Sequence, residues 1–486
     1  MKKLSDILHN VKIEQIINKR DLFVGGLAFD SRKTEKDFVF VAEKGEQTDG
    51  HLFIEKAISN GAKVIVFEQE DKISDFKESI TYLKVKSSSL ALGIMASNYY
   101  DNPTKKLKLV GITGTNGKTT TATLLYRLFS SMGKSCGLIS TIENRINEKI
   151  IPTERTTPDA LTLNSLFSDM VAEGCEYAFM EVSSHAVVQN RIAGLNFTCA
   201  VFSNITLDHL DYHKTFENYI KAKKRFFDEL PSKSFAISNL DDKNGKVMLQ
   251  NTKAKKLFYS LTSASADYRA TVLEDSFDGL QIIIDNKEIY SPLIGKFNAY
   301  NLLAIYSVAM TLGLNKDEVL IKLSALSSAP GRFERYVISS GAVAIIDYAH
   351  TPDALENVLK TINEINSPQK HKIICAIGCG GDRDKTKRPI MTSIAQKLSD
   401  ILIITSDNPR TERPEDIIED MKKGLKKDRD GKLHFCITDR REAIKLACTL
   451  AKEGDIIIVA GKGHENYQEI NHVKHHFDDK EEVLKY

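Results

Sequence analysis

The run Gly111-Ile112-Thr113-Gly114-Thr115-Asn116-Gly117-Lys118-Thr119-Thr120 has the residue types to hold a nucleoside triphosphate. Glycines let backbone N–H groups approach phosphate oxygens, and the N-terminus of a following helix adds partial positive charge. In this reading Lys118 reaches the outer phosphates and Thr119 puts its hydroxyl on a magnesium ion. Leu107-Lys108-Leu109-Val110 reads as the buried strand before the loop. Leu124, Leu125, Leu128 and Phe129 fall on one face of a helix from Thr121 to Ser131. The usual pattern wants a glycine five residues before Gly117, where Ile112 stands, and the chain offers Gly111 and Gly114 instead. A chance Gly/Thr turn is the plain alternative.

Further along, charged groups follow apolar runs directly. Tyr177-Ala178-Phe179-Met180 leads into Glu181-Val182-Ser183-Ser184-His185, and Cys199-Ala200-Val201-Phe202 leads into a polar cluster that includes Asp208-His209-Leu210-Asp211-Tyr212-His213. Ligands bind at the carboxyl edge of a parallel sheet. Glu181 is the hard oxygen ligand magnesium prefers. His209 is a less usual magnesium ligand and reads equally as a hydrogen-bonded structural histidine. By composition Tyr219-Ile220-Lys221-Ala222-Lys223-Lys224-Arg225-Phe226-Phe227 is the basic face of an amphipathic helix with Phe226 and Phe227 buried. Four more polar clusters end strand-like runs in the C-terminal part: Asp347-Tyr348-Ala349-His350, Gly378 to Asp384, Ser406-Asp407-Asn408-Pro409-Arg410, and Gly461-Lys462-Gly463-His464-Glu465. Any one of them reads as an ordinary turn; four at one sheet edge do not.

The elements that must position these groups alternate strand and helix. Strand-like runs are Val343–Ile346, Lys372–Ile377, Ile401–Ile404 and Ile456–Ala460, separated by helix-like segments Asp353–Asn366, Pro389–Leu398, Pro414–Lys426 and Arg441–Lys452. This is the pattern of an α/β doubly wound, Rossmann-like sheet. Before the phosphate loop, Phe38–Val41 and Lys63–Phe67 look like strands and His51–Asn60 like a helix capped by Gly61. Three domains are expected: a small α/β domain over 1–100, a central parallel-sheet ATP-binding domain over 101–331, and a C-terminal domain over 332–486. A net charge of +2 gives no electrostatic case for nucleic acid or a membrane surface. No run approaches the length of a membrane span. Seven cysteines, without metal-type pairs, read as reduced thiols, and Met1-Lys2-Lys3-Leu4-Ser5-Asp6 has no apolar signal core, so a cytoplasmic protein is expected.

Taken alone, these residues describe an ATP-driven transfer or ligation. The motifs resemble those of the Mur ligases, the cytoplasmic ATP-dependent enzymes that add amino acids to the peptidoglycan precursor. Gly114-Thr115-Asn116-Gly117-Lys118-Thr119 is similar to that family's own form of the phosphate loop, and the resemblance covers nearly the whole chain. The nearest pattern is that of members adding the third residue, carried by Asp30-Ser31-Arg32, Thr156-Thr157-Pro158-Asp159, Glu181 to His185, Asp208 to His213 and Gly461 to Glu465. The resemblance implies that a D-glutamate γ-carboxylate of a UDP-N-acetylmuramoyl dipeptide attacks ATP. An acyl phosphate forms, and an incoming amine captures it. It implies magnesium ions held by Thr119, Glu181, His209 and a carbamylated Lys223. It thereby reverses the surface reading of that lysine, and carbamylation by carbon dioxide calls for a depressed amine pKa. Asn298, Asn301, Arg332 and Asp347 resemble nucleotide contacts. Ser31, Gln47, Thr156, Thr157, Ser183, Gln189 and Arg191 match the positions that hold the UDP-sugar peptide. A monomer is expected.

Asp407-Asn408-Pro409-Arg410 looks like the signature of members that add meso-diaminopimelate. An arginine fork pairs with that substrate's distal carboxylate. Arg410 and Arg383 would supply guanidinium groups, Asp407 and Glu465 would take the ammonium, and Gly461 lies in the same site. Rival readings are an L-lysine-adding member, a folylpolyglutamate synthetase, which lacks the N-terminal domain, and a nucleotide-binding regulator without turnover.

Overall fold

A computed structural model describes residues 1–45, 48–367, 371–426 and 432–486. The protein is α/β, and its chain forms two compact units. The first comprises Met1–Gly114, Leu125–Ser203 and His213–Phe258; the second comprises Thr115–Leu124, Asn204–Tyr212 and Tyr259–Tyr486. The chain therefore passes between the units five times.

The first unit opens with a five-stranded sheet in the order Ile13–Ile17, Thr81–Val85, Val64–Phe67, Phe38–Val41, Gly26–Ala28. The first pair is antiparallel and the others are parallel. Val39, Val41, Val64 and Val66 pack into one apolar cluster while Phe40, Ile65 and Phe67 pack into another, the two faces of alternating strands. The segment expected as a helix from His51 is a 3₁₀ turn, Gly50–Phe53, followed by the helix Ile54–Ser59. Asp49 tightens that start by accepting from the His51 N–H.

A second sheet in this unit runs parallel from Cys136–Ile139 through Tyr177–Glu181, Lys108–Thr113 and Phe197–Phe202 to Phe235–Asn239. An antiparallel hairpin, Asn144–Ile146 with Lys149–Ile151, borders it. Strand order reverses at Lys108–Thr113, the place where open α/β sheets bind ligands. Glu181 pairs with Ile112 and Phe202 with Thr113, so three strands end at one level.

In the second unit, Tyr268–Ser276, Gly279–Ile284 and Lys287–Ser291 form an antiparallel meander, followed by the helices Lys296–Thr311 and Lys316–Leu323. A six-stranded sheet follows in the order Glu334–Val337, Val343–Asp347, Ile456–Ala460, Ile373–Cys379, Ile401–Ser406, Leu433–Cys436. Only the first pair is antiparallel. Ile345, Ile377, Ile404 and Ile458 fill one face, and Ile346, Ile374, Ile403 and Ile457 the other. Among the described residues no helix is long and apolar enough to cross a membrane.

Candidate active site

The strand Lys108–Thr113 runs into a helix that starts at Lys118, three residues before the expected Thr121. Lys118, Thr119 and Thr120 thus occupy its first turn, where N–H groups have no intrahelical partner. Gly117 adopts φ of 84°, and a Cβ there would lie 2.6 Å from Asn301 Oδ1. Both conformation and space require glycine, and the cradle fits a triphosphate. Gly111 serves packing instead: it sits within the strand, and a Cβ would meet the Phe197 and Phe226 rings at 2.7 Å.

In the second unit the loop is splinted by the cluster after Ser203. Thr115 N–H donates to Asn204 O at 2.8 Å, and Asn116 N–H to Asn204 Oδ1 at 2.9 Å. Thr206 N–H donates to Thr115 Oγ1 at 3.0 Å. Lys118 Nζ donates to Thr115 O at 2.8 Å. Arg332 Nη2 donates to Thr119 Oγ1 at 3.2 Å, and its guanidinium lies 4.6 Å from the Tyr348 ring centroid. Asn301 Nδ2 donates to Asn298 Oδ1 at 2.9 Å, so these two asparagines form one buried pair under the loop. Asp347 accepts from Phe333 N–H at 2.7 Å; burial pushes its carboxyl up to about 6, against the opposing charge of Arg332. His209 takes a φ of 54°, with Nε2 3.4 Å from Asp208 Oδ2. Asp353 had not stood out in the sequence: its Oδ2 accepts from Asn116 Nδ2 at 3.1 Å and Thr206 Oγ1 at 2.7 Å. Its one signal was its place at a helix start in Thr351-Pro352-Asp353.

In the first unit, Glu181 is buried at its strand end and accepts from Thr141 N–H at 2.7 Å. Thr157 Oγ1 donates to Glu181 O at 2.8 Å and accepts from Ser183 N–H at 3.1 Å. Arg191 Nη1 donates to Thr157 O at 2.7 Å and its Nε to Gln189 Oε1 at 2.9 Å. Thr156 Oγ1 accepts from Thr141 Oγ1 at 3.0 Å. Thr156, Thr157, Glu181, Ser183, Gln189 and Arg191 therefore form one polar network. Ser31 is buried apart from it, its carbonyl accepting from Asn60 Nδ2 at 2.8 Å. Gln47 lies outside the described residues. Lys223, on the helix Phe216–Asp228, is 1% exposed. Its Nζ donates to Gly114 O at 2.8 Å and lies 4.6 Å from the Tyr219 ring centroid. Its neighbours do form the expected basic face: Lys221 pairs with Glu217 and Lys224 with Asp228.

Glu43 escaped the sequence reading. Burial, aided by the charges of Asp159 and Glu68 and opposed by Arg191, pushes its carboxyl up to about 7. An unfolded glutamate ionises near 4.5, so the folded chain binds this proton more tightly, and stability falls as pH rises from there through 7. Glu43→Gln is expected to raise stability by about 1–2 kcal/mol above that window and to change nothing below it. Urea melts at both ends of the range test this, and an equal effect at both would refute it.

A third cluster sits at the carboxyl edge of the six-stranded sheet. Asn408 Nδ2 donates to Glu465 Oε2 at 2.7 Å. Gly461 has φ of 115°, and a Cβ there would lie 3.2 Å from Asp407 Oδ2. Arg410 holds φ of 52°, pinned by its N–H to Glu469 O at 3.0 Å, its Nη1 to Gly381 O at 2.7 Å, and its Nε 3.4 Å from Glu469 Oε2. Pro409 is buried and Arg383 exposed. A Cβ on Gly380 would meet Arg410 Nη1 at 2.9 Å and Arg383 Cγ at 3.8 Å, so the two arginines flank that glycine. Among the described residues no three His, Cys, Asp or Glu side chains converge as a metal cage. Within their own units, the Glu181 carboxylate and the Thr119 hydroxyl are hard oxygen donors of the kind magnesium takes.

Comparison with known proteins matches residues 24–100 to the Mur ligase family catalytic domain, 112–309 to the Mur ligase middle domain, and 331–463 to the Mur ligase glutamate ligase domain. A Phocaeicola vulgatus protein named UDP-N-acetylmuramoyl-L-alanyl-D-glutamate–2,6-diaminopimelate ligase is 54% identical over 479 residues, covering 99% of this chain and 98% of the relative. One of the same name from Cytophaga hutchinsonii is 52% identical over 478 residues, covering 98% of this chain and 97% of the relative. A solved structure of a ligase with that name superposes with a TM-score of 0.69 at 36% identity, covering 99% of this chain and 98% of the other.

Proposed function

This chain belongs to the Mur ligase family, and from that membership we propose that it adds meso-2,6-diaminopimelate to UDP-N-acetylmuramoyl-L-alanyl-D-glutamate, converting ATP to ADP and phosphate. The observation that carries the choice of amino acid is the cluster of Asp407, Asn408 and Glu465, to which Arg410 is linked through Glu469, whose N–H donates to Asn408 Oδ1 at 2.9 Å while its carboxylate lies 3.4 Å from Arg410 Nε. It suits a substrate bearing both an ammonium and a distal carboxylate. Full-length relatives of that name support it.

The substrate γ-carboxylate attacks the γ-phosphate of ATP, giving an acyl phosphate and ADP. The incoming amine attacks the acyl carbon, and the tetrahedral intermediate expels phosphate. Two anions must meet, so the protein's part is positioning and charge neutralisation. Gly114 to Thr120 hold the phosphates, and Lys118 places an ammonium among them. Asn298 and Asn301 lie on the adenine side, and Arg332 and Asp347 are further nucleotide contacts. Magnesium would supply further neutralisation when bound, and Thr119, Glu181, His209 and a carbamylated Lys223 are the residues that would hold it. Thr156, Thr157, Ser183, Gln189 and Arg191 hold the peptide-bearing sugar, and Ser31 and Gln47 its uridine end. The working divisions are 1–100 for the UDP-sugar, 101–331 for ATP and 332–486 for the amino acid. The enzyme acts as a cytoplasmic monomer.

Phosphate release with ATP, magnesium and the UDP-dipeptide, run with meso-diaminopimelate and L-lysine side by side, tests this. Release that needs diaminopimelate, with a matching gain in product mass, is expected. Release with lysine alone would keep the ligase and overturn the specificity.

A further inference from the structure

We propose that Lys462 is a positioning residue for the amine-bearing substrate, a buried cation that bridges Asp407 and Glu465 so that the two carboxylates face an incoming ammonium group together. This rests on the diaminopimelate reading above. The Lys462 side chain is wholly buried. Its Nζ donates to Asn408 Oδ1 at 3.2 Å and to Tyr467 O, and lies 3.5 Å from Glu465 Oε2 and 3.6 Å from Asp407 Oδ1. Asn408 ties the group together, because its Oδ1 accepts from Lys462 while its Nδ2 donates to Glu465. Asp407 Oδ1 is buried with no hydrogen bond among the described residues. Asp407 Oδ1 and Glu465 Oε2 thus both face the one Lys462 ammonium. Held side by side in this way, the two carboxylates offer an incoming ammonium two charged acceptors in place of one.

The other charges facing the cluster do not replace Lys462. Arg440 contributes favourably to both acids, but its fork is committed to Asp479, with two contacts of 2.7 Å. Arg410 is 3.4 Å from Glu469. His464 is pushed down to about 3 by burial and by Arg332 and Lys462, so it stays neutral. Burial likewise raises the Tyr348 and Tyr467 phenols, which stay protonated. Burial and the neighbouring Asp407 already push the Glu465 carboxyl upward, and Lys462 opposes them. Without Lys462, Glu465 would keep its proton to a higher pH and the pair would lose the charge that meets the amine.

The test measures the KM of the full-length enzyme for meso-diaminopimelate between about pH 6.5 and about pH 9, for parent and Lys462→Met. The expected result is a KM raised roughly 30-fold near neutral pH, converging on the parent at the alkaline end, with KM for ATP nearly unchanged. A KM raised equally at every pH, or not raised, would overturn the role. If Lys462→Met does not fold, Lys462→Arg decides: it retains the charge, so it must keep the parent's pH profile, and a shifted profile would overturn the role. An active parent with an unchanged variant defeats only this inference. A parent silent with diaminopimelate defeats the reaction itself and this role with it.

Discussion

Lys223→Ala is expected to lower turnover by about 10²–10³-fold or more, at saturating ATP. The side chain is buried, and its nitrogen is held by the Gly114 carbonyl at 2.8 Å over the Tyr219 ring. Alanine removes a buried amine at the foot of the phosphate loop, and with it the hydrogen bond that this amine gives the Gly114 carbonyl. It also removes the carboxylate that carbamylation would create there. Two measurements separate chemistry from folding. The melting temperature reports the lost packing, and added acetate or formate reports the lost carboxylate. A lowered melting temperature that the acid does not restore, with turnover partly rescued by it, is the expected outcome. Full turnover by the untreated variant would remove Lys223 from the reaction.

Arg410→Ala is expected to raise KM for diaminopimelate by roughly 30- to 150-fold, about 2–3 kcal/mol, with KM for ATP nearly unchanged. The backbone explains why the residue is a fixed fork and not a mobile one. A φ of 52° is costly for a side chain this long, and Glu469 and Gly381 hold it there. Arg410→Lys should recover little, since an ammonium lacks the planar pair of donors. Equal diaminopimelate affinity in Arg410→Ala and parent would place the carboxylate elsewhere.

The buried strands were legible because they are continuous apolar runs ending in polar clusters, as Tyr177–Glu181 and Ile401–Ser406 show. Glu334–Val337 and Leu433–Cys436 were not: they are short edge strands, half exposed, with no apolar run to mark them. Lys223 shows how composition misleads where periodicity does not. A cluster of lysines reads as a surface, yet Tyr219, Ala222, Lys223, Phe226 and Phe227 recur at helical spacing and all are buried. In the site, Gly117, Glu181 and the Asp407–Arg410 cluster could be picked from residue type and place in the pattern. Glu43 and Asp353 could not, since what matters about each is a partner far away in sequence. The early start of the phosphate-loop helix was missed for a related reason: threonines are weak helix formers, and nothing in Lys118-Thr119-Thr120 marks a first turn.

The five passages of chain between the two units bear on how this protein can be cut and recombined. Thr115–Leu124 and Asn204–Tyr212 belong to the second unit but are encoded inside the first. A fragment ending at Phe258 therefore carries both segments without the body they pack into, and one beginning at Tyr259 lacks them. No single break in the chain separates the two units. A working chimera must bring the inserted segments along with the C-terminal part.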